Sequence, residues 1–499
     1  MIIKQISVKE ISDKNERQSA NWDLHNAFRN YSTLIIAQAA VAFFSFASIW
    51  LTTRYLGTEG YGSIVAVIAA SQVAQIFVNW TCVALTRYGV EEFVETGKIN
   101  NSFWARSLIL LPNTLIFLAF SFLWLPLLSS WLKLPPETAW YVVAHFVVMA
   151  LWLHVQNAIQ GAKLPRLQGY LLAIERALVF SILLILIWSN QLNYLSAIAA
   201  YIVSPLLMIF IGLFRLRKFI SWRVKYDFGL LKRILKFSVP LIPFSLIGYF
   251  STSYLDAIFI SQYLSKSDLG IYSIGDQING MLMQIPTLAG LLLLPFFITL
   301  QTNKQDKTIE AYLQDFLPLA TLIWGFGCVL FAAFASYFLP LVFGEKFSAM
   351  GLILWVLIVG ATFAIPVLIG YAPFINTRSA TYIGMIGAIA AAVINFVFDF
   401  LLIPRYGLAG CAWATVIAYG ISFLVILLLV RRQFSFKHTW TFQATLPTLF
   451  AAGYLSFSGN QTAALIVAFL TTATLAIFYR KYIIQGIGIL QNYRNFISS

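Results

Sequence analysis

Runs of about twenty apolar residues, the length needed for one helix to cross a bilayer, recur along almost the whole chain, and they constrain its fold more than any other feature. Fourteen such runs are read. Six lie near 31–53, 62–86, 107–128, 138–160, 169–189 and 192–214, and six near 238–262, 271–300, 312–340, 350–372, 379–402 and 409–430. A shorter closing pair lies near 442–457 and 462–479, and its first member could rest in the interface. In lipid only a structure that satisfies its own backbone groups can span, and a helix does so within one segment. The expectation is an all-α polytopic membrane protein with about 14 transmembrane helices.

Composition agrees. Of 499 residues 60% are hydrophobic and only 10% charged, where soluble chains carry roughly a quarter. The formal net charge of +14 would suggest nucleic acid in a soluble protein, but here the cations sit in short loops, where they set topology and attract anionic headgroups. The strongest concentration is RLRKFISWRVKYDFGLLKRILK, Arg215 to Lys236, in which Asp227 is the one acid among eight cations. If both termini are cytoplasmic, alternate loops place 27 of the 33 Lys and Arg inside and five outside. One span more or fewer would invert every later loop. The outer loops are short, so function is expected within the bundle. The first thirty residues lack the apolar core and cleavage site of a signal peptide. Cys82, Cys328 and Cys411 lie in apolar runs and offer neither a disulfide framework nor a CxxC site.

The basic stretch divides the chain into a cytoplasmic segment 1–30, a six-helix half 31–214, a linker 215–237, a second six-helix half 238–430 and a helix pair with tail 431–499. The halves echo one another. Tyr55-Leu56 with Gly62 matches Tyr263-Leu264 with Gly270, and Arg166, Tyr170 and Tyr194 match Arg378, Tyr382 and Tyr406. Six spans per half makes the repeat parallel, about an axis along the membrane normal.

Polar stripes at helical spacing must face other helices or water. The first span carries Gln38, Ser45 and Thr52, and the second Gln72, Gln75, Asn79, Cys82 and Thr86. The seventh carries Ser245, Tyr249, Thr252 and Asp256, and the eighth Ser273, Gln277, Gly280, Gln284 and Thr287. Helices 1, 2, 7 and 8 are therefore expected to line a central cavity; the plainer reading, in which small and polar residues only join helices, fits Ser, Thr and Gly better than it fits Gln and Asn. Ionisable groups within spans mark function or pairing. Arg176 is a candidate cation for an anionic headgroup, or else a partner of Asp256 or Asp399. Asp256 and Glu175 are candidates for coupling to a proton or sodium ion. Adjacent on one helix and about 100° apart, Glu175 and Arg176 cannot be assumed to pair. Arg54, Arg87 and Arg378 read as helix-end anchors, and His145 and His154 as ordinary packed histidines. Prolines 112, 205, 243, 286 and 366 lie inside spans, where they permit kinks. No GxxxxGK[ST], HExxH or GxSxG motif occurs, so neither ATP hydrolysis nor those hydrolytic chemistries is expected.

Three segments carry a family resemblance. TTRYLGTEGYGSI (52–64) and FSVPLIPFSLIGYFSTSYLDAIFISQYLSKSDLGIYSIGDQI (237–278) are the first two. The third is NTRSATYIGMIGAIAAAVINFVFDFLLIPRYGLAGCAWATVIAYG (376–420), whose LIPRYGLAGCAWAT is similar to a LIP-x-YG-x-x-GAA-x-AT run, with Cys411 where alanine is usual. These resemble polysaccharide-biosynthesis flippases of the multidrug/oligosaccharidyl-lipid/polysaccharide exporter superfamily. The resemblance implies a Wzx-type O-antigen or capsule-unit translocase of the bacterial inner membrane, multi-pass and without cofactor beyond a coupling H+ or Na+. It would move an undecaprenyl-pyrophosphate-linked oligosaccharide to the periplasmic leaflet by alternating access, alongside other polysaccharide-assembly proteins. On this reading Arg87 and Arg176 hold the phosphates, and Gln72, Gln75, Asn79, Thr252, Gln277 and Gln284 complete the cavity. The rivals are a cation-coupled drug antiporter of the same superfamily, which should line its cavity with more carboxylates than cations, a membrane glycan polymerase or ligase, and a lipid scaffold without transport.

Overall fold

The computed structural model describes the backbone of residues 2–221, 227–239, 253–302, 304–378, 380–434 and 439–480. Among them nine helical stretches are long and apolar enough to cross a membrane. Thr252, with Ser245, Tyr249 and Pro243 of the expected seventh helix, lies outside the described residues.

Helix α1 runs Ile2–Asn79 and breaks at Gly57, whose φ of 70° and ψ of −171° are outside the helical range. Glycine tolerates such a φ without steric cost. The break divides α1 into two limbs that correspond to the first and second expected spans. Two turn residues then separate it from α2, Cys82–Thr96, which ends on Gly97 in the left-handed conformation. The second expected span is thus interrupted near Thr81 and continues about three turns further.

α3 (Asn100–Ala119) and α4 (Ser121–Trp131) meet at Phe120. The helix starts before the apolar run does, so Arg106, expected in a cytoplasmic loop, lies within α3 and is fully buried. α5 (Ala139–Gly161), α6 (Pro165–Trp188) and α7 (Tyr194–Leu216) complete the first half. Asn193 caps α7, its side chain accepting from the Ser196 backbone while Ser196 accepts from Asn193 N–H, which satisfies donors a helix start leaves open.

Within the basic linker a short amphipathic helix, α8 (Phe228–Ser238), is capped by Asp227. Leu230 and Ile234 are buried against Ala84 and Ala105, while Lys232, Arg233 and Lys236 are exposed. The second half comprises α9 (Ser253–Tyr263) and α10 (Lys266–Thr302). α11 (Asp306–Phe343) and α12 (Glu345–Thr377) follow, each with one π-helical turn, at Tyr312–Phe316 and Val367–Tyr371. α13 (Thr381–Gln433) breaks at Gly407, φ 59°, into the eleventh and twelfth expected spans. α14 (Thr439–Gln443), α15 (Leu446–Ser458) and α16 (Gln461–Phe478) close the described chain. With 13 residues, α15 rises only about 20 Å, short of the roughly 30 Å hydrocarbon core.

The echoed glycines meet where the second limb of α1 and α10 begin. A Cβ on Gly62 would lie 1.8 Å from the Lys266 carbonyl oxygen, and one on Gly270 would lie 2.2 Å from that of Thr58. Close approach needs small residues where lipid supplies no hydrophobic drive between helices. Ser267 Oγ donates to Thr58 Oγ1 at 2.7 Å across the same seam. The second limb of α1 and α10 are thereby held in backbone contact, and above this contact the two halves separate around a cavity.

Candidate functional site: a polar cavity and a buried carboxylate pair

The cavity measures ≈ 480 Å³, within the range of small-molecule sites. The first limb of α1 supplies Ser45 and Ser48, and the second limb Tyr61 and Gln72. His145 enters from α5, Glu175 and Arg176 from α6, Tyr201 from α7 and Tyr254 from α9. Ser273, Asp276, Gln277, Gly280 and Gln284 present one face of α10, their spacing of three and four residues being that of a helical stripe. Lining therefore comes from α5, α6 and α7 as well as from the four helices expected.

Gln277 Nε2 donates to Tyr61 OH at 2.6 Å, joining the halves across the floor. Arg176 is partly exposed to the cavity and its Nη2 lies 3.9 Å from Glu175 Oε1, so these neighbours do approach one another. Glu175 is buried, and its Oε2 accepts from Trp152 Nε1 at 2.9 Å, which fixes the carboxylate behind the guanidinium. Ser71 Oγ hydrogen-bonds His145 Nδ1. Such a wall can hold a phosphate on the arginine by charge-assisted hydrogen bonds, and sugar hydroxyls on its amides and phenols.

Of the residues expected from sequence, Gln72, Gln277, Gln284, Glu175 and Arg176 line this cavity. Gln75 is turned away, its Nε2 donating to the Phe146 carbonyl at 2.5 Å, and it accepts from Asn79 Nδ2. Asn79 Oδ1 in turn accepts from Arg106 Nη2 at 3.2 Å. Arg87 is exposed on α2, 3.4 Å from Glu91 and 4.7 Å above the Phe237 ring of α8. Asp276 and the lining tyrosines are absent from the sequence-based set, and His145, read there as a packed histidine, is buried but borders the cavity. Asp276 was legible in the sequence, since it directly precedes Gln277 on a stripe already drawn through α10. Arg378 bonds Asp306 at 2.7 Å, and His154 bonds Arg106, so neither is an isolated anchor or packing residue.

Asp256 sits apart from the cavity wall, in a fully buried cluster with Asp399. Tyr272 OH donates to Asp256 Oδ2 at 2.6 Å, and Asn395 Nδ2 donates to both Asp256 Oδ1 and Asp399 Oδ2 at 3.0 Å. Asp256, Asp399 and Cys411 each present a ligand atom within 4.8 Å of the others. Asn395 Oδ1 and Asp399 Oδ1 are buried without a hydrogen-bond partner. Two carboxylates with leftover oxygen acceptors and no cationic side chain paired to them among the described residues call for a proton or a hard cation. The donor set fits: oxygens dominate it, the thiol being the poorest ligand for such an ion. Asp399 and Asn395 stand four residues apart on one face of α13, a spacing the sequence displays, but their meeting with Asp256 across 139 residues is tertiary information.

Comparison with known proteins gives this architecture a family. A model of "Polysaccharide biosynthesis protein" matches residues 27–301. The "Lsg locus putative protein 1" of Haemophilus influenzae is 24% identical over 353 residues, 68% of this chain and 83% of that protein. An uncharacterized membrane protein of Methanocaldococcus jannaschii is 21% identical over 303 residues, 57% of this chain, and the match spans only 55% of that relative's length. Among solved structures, the lipid II flippase MurJ in its inward closed conformation superposes with a TM-score of 0.67 at 15% identity, over 91% of this chain and all of that one. A mutant of the Vibrio cholerae MATE transporter VcmN reaches 0.54 at 12% identity, over 81% of this chain and 96% of that one. With a family model covering more than half its length, the chain belongs to the polysaccharide biosynthesis protein family, and its fold is the one shared by MurJ and the MATE transporter VcmN.

Proposed function

We propose that this protein is a flippase for an undecaprenyl-pyrophosphate-linked oligosaccharide repeat unit, moving it from the cytoplasmic to the periplasmic leaflet of a bacterial inner membrane for O-antigen, capsular or exopolysaccharide assembly. Both termini are cytoplasmic on this reading, in keeping with the loop charges. The observation that carries it is Arg176, a cation open to a polar cavity between the halves and backed by the Trp152-anchored Glu175. A lipid-linked sugar phosphate cannot cross hydrocarbon without such a path, because unpaired charge and hydroxyls are costly there. Gln72, Gln277 and Gln284 supply amides for the glycan, and Asp276 extends the same surface. The Asp256–Asp399 pair binds H+ or Na+ and couples its release to the rocking of the halves.

A second reading has one observation in its favour. The described lining holds Glu175 and Asp276 against Arg176 alone, a balance that suits an organic cation and hence a drug antiporter. Two assays separate the readings. Deleting the gene should abolish surface glycan and leave the lipid-linked unit in the inner leaflet, with wild type but not Arg176→Gln restoring export. Unchanged glycan in the deletion strain, together with efflux of a cationic dye by the overproduced protein, overturns the flippase reading.

A further inference from the structure

We infer that Arg106 is the centre of a second phosphate-binding site, about 10 Å along helix α1–α2 from the cavity and separate from Arg176. The distance follows from the seven helical steps from Gln72 to Asn79 at a rise of about 1.5 Å each. This rests on the flippase reading, in that the anion expected to reach it is the phosphate of the lipid-linked cargo.

Arg106 is 0% exposed, and every group it bonds is neutral. Its Nη1 donates to His154 Nδ1 at 2.5 Å, and its Nη2 to Asn79 Oδ1 at 3.2 Å and Cys82 Sγ at 2.9 Å. His154 Nε2 faces Ser107 Oγ at 3.0 Å, so the imidazole accepts from the arginine on one nitrogen and donates from the other. No Asp or Glu pairs with Arg106 among the described residues. A buried cation without a counter-charge costs several kcal/mol, yet this one is held by three helices.

Three further donor atoms belong to Arg106 and its neighbouring segments. Arg106 Nε, Thr81 Oγ1 and Ser102 Oγ are all buried without hydrogen-bond partners. Ser102 stands one turn before Arg106 on α3, and Thr81 directly precedes Cys82. All three are donors. Thr81 also marks the start of the 15-residue α2, whose first N–H groups receive no side-chain cap, and whose dipole adds positive potential at that end. The guanidinium, the two hydroxyls and the uncapped helix start are each groups that donate to the acceptor-only oxygens of a phosphate, and they stand on adjoining segments. Asn79 and Cys82 are half-buried and continue the polar face that carries Gln72 into the cavity, so the site lies on one track with Arg176.

Cys82 reports on this site because its sulfur touches the guanidinium. In full-length protein carrying Cys328→Ala and Cys411→Ala, Cys82 is the sole thiol, and its rate of maleimide labelling in detergent is measured with undecaprenyl pyrophosphate, inorganic pyrophosphate or phosphatidylglycerol. Undecaprenyl pyrophosphate is expected to slow labelling about tenfold, the effect of a charged hydrogen-bond set. Arg106→Gln removes the protection, Ser102→Ala weakens it without disturbing the cation, and Arg176→Gln leaves it. Protection by inorganic pyrophosphate supports the site and shows that the phosphates alone suffice; protection by phosphatidylglycerol supports it and assigns it to bulk headgroups. No protection by any probe, or protection that survives Arg106→Gln, overturns the inference. Thermal stabilisation by undecaprenyl pyrophosphate that depends on Arg176 is the separate readout: if it persists while Cys82 stays unprotected, the flippase reading stands and the second site falls. If neither is seen, both fall.

Discussion

Arg106 in the first half and the Asp256–Asp399 pair in the second pose opposite electrostatic problems. One is a buried cation surrounded by neutral acceptors, the other a pair of buried carboxylates bridged by a neutral amide. Gly62 and Gly270 bring the two halves into backbone contact, but the buried charge on either side differs in sign. On the proposed reading the first half offers a place for an anion and the second a place for a cation. Cargo and coupling ion can then be held apart and linked only through the motion of the halves. In that arrangement binding at one site shifts the other only by its differential affinity for the two states.

The largest expected effect comes from removing the negative side of this contrast. Asp399→Asn with Asp256→Asn leaves a cluster of similar shape without charge. If the cluster binds Na+, wild-type protein at a hundredfold excess over Kd gains about 2.7 kcal/mol, and the double variant gains nothing, while transport in reconstituted vesicles stops. Thermal unfolding with Na+ against a larger cation such as choline measures the first; equal stabilisation of wild type and variant by Na+ would leave H+ as the only coupling ion the cluster can serve.

Next is the seam that keeps the halves together. Gly62→Val places a branched side chain where even one Cβ would meet the Lys266 carbonyl oxygen at 1.8 Å. Overpacking of this kind costs roughly 1–3 kcal/mol, read as a lower unfolding temperature. Gly280→Ala, on the same helix as Gly270 but with nothing within 4 Å of the added Cβ, should be nearly silent. Equal losses in both variants would mean that the echoed contact contributes nothing special.

A smaller loss is expected at the cavity. Arg176→Gln keeps a donor but removes the charge, so binding of a pyrophosphate lipid should weaken about tenfold, the low end for charged hydrogen bonds. Arg176→Lys should recover part of it, since a point charge lacks the planar fork of guanidinium. Sharper binding in Arg176→Gln would instead favour the cationic substrate that Glu175 and Asp276 suit.

How far the sequence shows these sites depends on range. Gln72, Gln277, Gln284, Glu175 and Arg176 could be read because a stripe on one helix is local, and a polar residue in an apolar run has few places to face. The Asp256–Asn395–Asp399 cluster was half visible: Asp256 and the α13 pair each stand out, but their convergence spans 139 residues. Arg106 was hidden by a boundary. The apolar run begins after it, whereas α3 begins at Asn100, so a cation assigned to a loop by hydropathy is carried into the bundle by helix propagation. The Glu175–Arg176 approach at 3.9 Å shows the converse limit, since a spacing about 100° apart on a helix does not stop two long side chains from curling toward one another.

Arg87 is the smallest expected effect and the clearest test of that boundary argument. By sequence it continues the polar face of the second span and looks like a phosphate ligand as good as Arg176. In the fold, α2 carries it past the bundle to a surface where its side chain is 52% exposed, paired with Glu91 four residues on and lying over Phe237 of the amphipathic α8. An exposed i,i+4 pair contributes about 0.3–0.5 kcal/mol, and an exposed cation–π contact about as much again. Arg87→Ala should therefore leave pyrophosphate-lipid binding within about twofold of wild type, since neither Arg87 nor its partners line the cavity. It should instead loosen α8, which backbone hydrogen exchange at residues 228–238 would register as faster opening in the variant. A tenfold loss of lipid binding in Arg87→Ala would place this arginine on the cargo's path and shift the first half's anion site from the buried Arg106 to the α2–α8 surface, ending the contrast with the second half.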